Sequence, residues 1–153
     1  MKKECAFCNN QSNKEREIAR NNLAWAFPTN IPIVPGHILV CPIRCVAKFE
    51  DLTPEEKQAL WDLAEKIKKS LEKTFNAEGF NFAWNENEIG GQSVPHFHLH
   101  ILPRKKGDAG IYEYEPRKFL YRTSGDREPT PQEELVETAQ KIKNTYQMLY
   151  YPF

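Results

Sequence analysis

Between Pro54 and Phe75, apolar side chains fall at Leu60, Leu63, Ala64, Ile67, Leu71 and Phe75, the spacing of one helix face. The start is marked too. Thr53-Pro54-Glu55-Glu56 puts a hydroxyl at the N-cap, proline at the first helical position and a carboxylate three residues beyond the cap. The same device recurs at Thr130-Pro131-Gln132-Glu133, ahead of Leu135, Ala139, Ile142, Tyr146 and Leu149, and predicts a second helix over 131–148. Elsewhere the chain reads as strands, over 15–20, 23–28, 37–42, 80–85 and 96–103. Asn21-Asn22 separates the first two, and asparagine tolerates the left-handed backbone that a tight hairpin turn requires. Hairpin-joined strands, one long helix between strands and a final helix predict an α+β domain with a mainly antiparallel sheet. Residues 104–130 keep neither period and are expected to form a long surface loop.

Three of the chain's four histidines stand in the last strand, VPHFHLHILPR. On a strand His96, His98 and His100 share one face, while Phe97, Leu99 and Ile101 share the other and face the core. At about 3.3 Å per residue, His96 and His100 stand roughly 13 Å apart, too far for all three rings to reach one ion. The remaining chemistry is nucleophilic and acid–base. A neutral imidazole attacks phosphorus or carbonyl carbon near pH 7, and a neighbouring protonated one donates to the leaving group. Just upstream, Asn85-Glu86-Asn87-Glu88-Ile89-Gly90-Gly91-Gln92-Ser93 offers a glycine pair, amides and a hydroxyl that can hold phosphate oxygens. The fourth histidine, His37, follows a Pro35-Gly36 turn at the mouth of a strand.

Composition narrows the setting. A chain of 153 residues, 40% hydrophobic and 27% charged, is expected to be one domain over 1–153. It has no apolar run near the roughly 18 residues of a membrane span and no apolar core to its basic N-terminus, so a cytoplasmic setting is expected. A net charge of zero with interleaved signs argues against nucleic acid or membrane as partner. In a reducing compartment the four cysteines are not expected to be cross-linked. Cys5 and Cys8 form C-x-x-C, but the polar Asn9, Asn10 and Gln11 that follow suit half of a metal site better than a redox pair.

With PGHILVCP around His37, GGQSV ahead of the histidine strand and H-F-H-L-H-I within it, the chain resembles the histidine-triad (HIT) superfamily from Cys5 to about Arg104. PGHILVCP and LPRKKGD are similar to the Fhit-like dinucleoside polyphosphate hydrolases; Asn85-Glu86 and GGQSV are equally similar to the Hint-type nucleoside phosphoramidases. The resemblance implies a five-stranded antiparallel sheet with two main helices, extended to ten strands in a homodimer. It also implies a nucleotide substrate, with His98 attacking the α-phosphorus and water releasing the nucleotidyl group. His100 would bond phosphate or leaving-group oxygen, and His37 would orient the nucleophile. Gln92, Ser93 and Asn85 match positions that hold the phosphate and bridging atom. Phe27 and Phe7 match positions lining the base. Thr29 falls where the family usually holds the ribose hydroxyls with Asp or Asn, and Asn30 next to it is the alternative.

The resemblance further implies a structural zinc and no catalytic metal. The N-terminal segment 1–15 would supply Cys5 and Cys8, completed by Cys45 and His96, with Cys41 as the competitor to Cys45. Two other functions stay open: a nucleotide-binding regulatory module with little turnover, and a metal-dependent hydrolase using His98 and His100. The stretch from Phe119 to Arg127 has no family counterpart. Arg122 and Arg127 are candidates to reach a phosphate chain, with a solvated loop as the alternative. Tyr146, Tyr150, Tyr151 and Phe153 are expected to pack or to dimerise.

Overall fold

The computed structural model describes residues 4–108 and 129–152. Its elements are helix α1 (Gln11–Glu15), strands β1 (Ala19–Arg20), β2 (Ala24–Pro28) and β3 (Ile38–Pro42), helix α2 (Pro54–Phe75), strands β4 (Gly79–Ala83) and β5 (Leu99–Arg104), and helix α3 (Gln132–Tyr150). The five strands form one antiparallel sheet in the order β1-β2-β3-β5-β4.

Strand alternation divides this sheet into two differently used faces. Ala24, Ala26, Ile38, Val40, Leu99 and Ile101 point to one side, where they pack with Leu60, Leu63, Ile67 and Leu71 of α2 and Ala139, Ile142 and Tyr146 of α3. The intervening Trp25, Phe27, Leu39 and Cys41 form a second cluster, covered by Phe7 from the N-terminal segment. Buried residues on both faces explain why β2 and β3 are buried throughout.

Helix α2 begins as expected. The Thr53 hydroxyl accepts from the Glu56 N–H at 3.1 Å and the Glu56 carboxylate accepts from the Thr53 N–H at 3.0 Å. The second device is not used in this way. α3 starts at Gln132 without a side-chain cap, and the Thr130 N–H donates instead to the Asn30 carbonyl at 2.9 Å. Tyr146 is buried in the helix-side core and Tyr150 packs against it, whereas Tyr151 is exposed.

Three local expectations need correction. The first strand shrinks to two residues, and ahead of it stands a short helix capped by the Asn10 side chain. Five residues are too few to display a helical period in the sequence. The turn at Asn21 does not use a left-handed backbone; its side-chain oxygen accepts from the N–H groups of Leu23 and Ala24 at 3.1 and 2.8 Å. The last strand begins at Leu99 rather than 96. Arg122, Arg127 and Phe153 lie outside the described residues, as does most of 104–130.

Gly36 fixes the entry to β3. Its φ is +86°, and a Cβ there would stand 2.7 Å from the Phe75 ring at the end of α2. Gly36→Ala is expected to destabilise the fold by about 1–3 kcal/mol through backbone strain, with overpacking in addition. A urea denaturation midpoint unchanged from wild type would contradict this.

Candidate active site and metal site

The four histidines separate into three stations, each fixed by a backbone carbonyl, a backbone amide or another ring. His98 is buried, and its Nδ1 lies 2.7 Å from the His96 carbonyl oxygen. A carbonyl can only accept, so Nδ1 carries the proton and Nε2 holds the lone pair in the neutral ring. His37, also buried, accepts the Ile33 N–H on Nδ1 at 3.1 Å, which leaves its Nε2 protonated. That Nε2–H donates to His100 Nδ1 at 2.9 Å, and His100 in turn carries its proton on Nε2. The His98 and His100 rings are 4.9 Å apart. A nucleophilic nitrogen and an N–H donor therefore sit side by side. The described ring bond of His37 is thus to His100.

His96 serves elsewhere. Its Nε2–H donates to the Pro42 carbonyl at 2.7 Å, and its Nδ1 lone pair faces Cys5 Sγ at 3.3 Å and Cys8 Sγ at 3.5 Å. With Cys45 these form the cluster Cys5, Cys8, Cys45 and His96, whose ligand atoms all lie within 4.8 Å of one another. In a tetrahedral site with bonds of about 2.3 Å to sulfur and 2.0 Å to nitrogen, neighbouring S and N atoms stand roughly 3.5 Å apart. The two His96 distances fit that edge. Burial pushes the Cys5 thiol up, but backbone N–H groups of Cys8 and Phe7 and the His96 ring outweigh it and bring the pKa to about 6. Burial and the neighbouring Cys5 sulfur push Cys8 up to about 12. Such crowding of thiolates is what a dication relieves. Cys41 is excluded from the cluster: it is fully buried on β3, and burial raises its pKa well above the thiol range.

A cavity of about 650 Å³ opens beside His98, a volume suited to a nucleotide-sized ligand. Phe7, Phe27, Thr29, Asn30, Asn85, Ser93, His98 and His100, widely spaced in sequence, all line it. Phe7 stands edge-on to both His98 and Phe27, at 5.1 and 5.5 Å between ring centres. Thr29 is buried in the wall and Asn30 is exposed at the rim. Gln92 is not among the lining residues. Its amide donates to the Ala47 carbonyl at 2.9 Å and accepts the Asn87 N–H at 3.0 Å, bracing the loop that carries Asn85 and Ser93. Sequence reasoning passed over Arg16, Asn13 and the start of α3, where Thr130, Gln132 and Leu135 close the far side. No local signal marks them, because Arg16 meets Gln132 across 116 residues.

The HIT domain family model matches residues 10–107. The chain belongs to the HIT family. It is 36% identical over 126 residues to a bis(5'-adenosyl)-triphosphatase of Dictyostelium discoideum, covering 82% of this chain and 81% of that one. It is 35% identical to a bifunctional bis(5'-adenosyl)-triphosphatase/adenylylsulfatase of Arabidopsis thaliana, over 82% of this chain and 67% of the relative. Among solved structures, a Zn-bound histidine triad family protein from Mycobacterium smegmatis shares the fold with a TM-score of 0.73, at 22% identity and 98% coverage of each chain. No described helix is long and apolar enough to cross a membrane.

The hydrogen-bond chain gives a direct spectroscopic expectation for this HIT protein. In the neutral state, histidine ¹⁵N correlations should show His98 protonated on Nδ1 and His37, His96 and His100 protonated on Nε2. Finding His98 protonated on Nε2 would remove its lone pair from the attacking position.

Proposed function

We propose that this HIT protein cleaves nucleotidyl phosphoanhydrides, such as diadenosine polyphosphates, at the α-phosphorus through a covalent His98 intermediate. The observation carrying this reading is the pair of opposite tautomers on adjacent rings: a lone pair on His98 Nε2 and a proton on His100 Nε2. In the first step His98 Nε2 forms the bond to phosphorus while the bond to the bridging oxygen breaks. The leaving oxygen departs as a phosphate anion whose charge is met by a hydrogen bond from His100 Nε2–H, with His37 holding that ring in place. In the second step water attacks phosphorus and gives up its proton to solvent, and the N–P bond breaks to return the lone pair to His98 Nε2 and release the nucleoside monophosphate. Asn85 and Ser93 hold non-bridging oxygens, and Phe7 and Phe27 line the base. Thr29 and Asn30 are the candidates for the ribose. Gln92 acts by holding the loop that carries these donors. The curated relatives that are triphosphatases by name support the substrate class.

Cys5, Cys8, Cys45 and His96 hold a structural zinc in this reading, and the chemistry of the histidines does not require it. The relation between the two sites is mechanical: Phe7 lies between two of the cysteines, and the His96 carbonyl accepts the hydrogen bond of His98 Nδ1–H. β4 is an edge of the sheet and carries the exposed Phe82, so pairing of two copies there would give the ten-stranded homodimer. Four uncrosslinked thiols fit a cytoplasmic home. The phosphoramidase alternative shares every residue named and differs only in the leaving atom.

Incubation with diadenosine triphosphate should release AMP and ADP, and His98→Asn should abolish turnover. His100→Gln should lower kcat by about 10²–10³-fold through loss of the positioned ring N–H at the leaving oxygen. Absence of wild-type turnover on this substrate, with turnover of an adenosine phosphoramidate, would transfer the protein to the second branch. A protein without turnover on either would be a binding module.

Purified protein should contain one zinc per chain by elemental analysis, and Cys45→Ser should lower both that content and the thermal midpoint. Cys41→Ser should leave the metal content unchanged. The reverse pattern would assign the ligand to Cys41, and activity lost with the metal while the fold is intact would favour a catalytic ion.

A further inference from the structure

Among the described residues, Arg16 is a buried cation without a counter-charge. It is 4% exposed, and each described acceptor on it is neutral: the Pro28 carbonyl on Nε at 2.8 Å, Gln132 Oε1 on Nη1 at 3.1 Å, and Asn13 Oδ1 on Nη2. No described carboxylate pairs with it; the adjacent Glu17 is engaged by Arg20. Burying a charge without a partner is costly, and ordinary packing does not call for it at the edge of a cavity. A guanidinium has five N–H donors, so three bonds leave one donor on each terminal nitrogen.

Its position indicates what those donors meet. Arg16 lines the same cavity as His98 but at the opposite end of a row of rings. His98 and Phe7 are 5.1 Å apart, Phe7 and Phe27 5.5 Å, and the guanidinium carbon lies 5.8 Å from the centre of Phe27. A nucleotide with its phosphorus at His98 therefore extends its base, not its phosphate, toward Arg16. The two amides beside Arg16 are oriented by their other bonds. Asn13 and Gln132 give their oxygens to Arg16 and their NH₂ groups to the carbonyls of Ala6 and Ser12, at 3.3 and 3.0 Å. This wall offers the base donors, and neither amide oxygen is turned to accept from an exocyclic amine. Guanine presents two adjacent acceptors, O6 and N7, which an arginine fork matches. Adenine places an amino donor beside N7.

We propose that Arg16 is a specificity-determining residue that reads guanine, donating its two remaining N–H groups to O6 and N7 of a base lying against Phe27. The inference rests on the nucleotide reading of the cavity and adds its base. The relatives named above are adenosyl-triphosphatases by name, so this preference would separate the chain from them.

Calorimetric titration of the full chain with GMP and with AMP tests it without requiring turnover. Wild type should bind GMP about tenfold or more tighter than AMP, the discrimination typical of a bidentate arginine–guanine contact. Arg16→Met should erase that difference by weakening GMP, with AMP changed less than about threefold; Arg16→Lys, which keeps charge but not the fork, should recover little of it. Equal wild-type affinities would overturn the inference even if a variant fails to fold, as would equal losses for both nucleotides in a folded variant, judged by its thermal midpoint. Diadenosine triphosphate turnover in the same preparation separates the two readings. Turnover without guanine preference removes only the base assignment, whereas neither binding nor turnover removes the nucleotide reading as well.

Discussion

Strand β5 is hydrogen-bonded to β3 on one side and β4 on the other, and its pleat allows one division of side chains. Leu99 and Ile101, with Phe97 continuing the alternation just ahead of the strand, are required by the core between sheet and helices. His98, His100 and Leu102 are consequently directed to the cavity on the opposite face. A slip of one residue would bury both histidines under α2 and expose the core. The register also sets the chemistry: Leu39 opposes His100, so His37 at the mouth of β3 comes within 2.9 Å of the His100 ring. The hydrophobic core and the His37–His100 bond thus share one pairing.

His96 stands just before this strand and has two functions on separate atoms. Its carbonyl fixes the His98 tautomer, while its ring, turned by the Pro42 carbonyl, gives Nδ1 to the cysteines. The N-terminal segment reaches the same place from the other direction. Cys5 and Cys8 bracket Phe7, which covers the aromatic cluster on the cavity face of the sheet. The Cys–His cluster and the His98 ring are therefore held by one short piece of backbone. This is the usual relation of outer-shell bonds to the group they orient.

The far end of the cavity is built differently. Arg16 leaves α1, rests over Phe27 and meets Gln132 at the start of α3. Gln132 is also tied to the Ser12 carbonyl, and the Thr130 N–H to the Asn30 carbonyl. Segments from the two ends of the chain thereby enclose a pocket whose chemical end lies wholly on β5 and its preceding loop. The HIT family match covers residues 10–107, so the contribution of α3 lies beyond it.

Residue order alone determined what depends on period and on local bonds: the α2 helix with its Thr53 cap, the five strands, and the separation of three histidines from three core residues. It also suggested, from strand rise, that the three histidines would not share one ion; in the fold His96 stands ahead of β5 and faces the cysteines instead. Local bonding misled where a competing partner lay far along the chain. Thr130 had the letters of a cap, but its backbone was taken by Asn30. Cys41 lies within β3 in the aromatic cluster, whereas Cys45 lies beyond the strand's end, where the fold brings it to Cys5, Cys8 and His96. Arg16 was invisible for the same reason: its acceptors at 13, 28 and 132 come together only when the sheet forms. Hydrogen bonds are selected by proximity, and proximity between distant residues is a property of the fold.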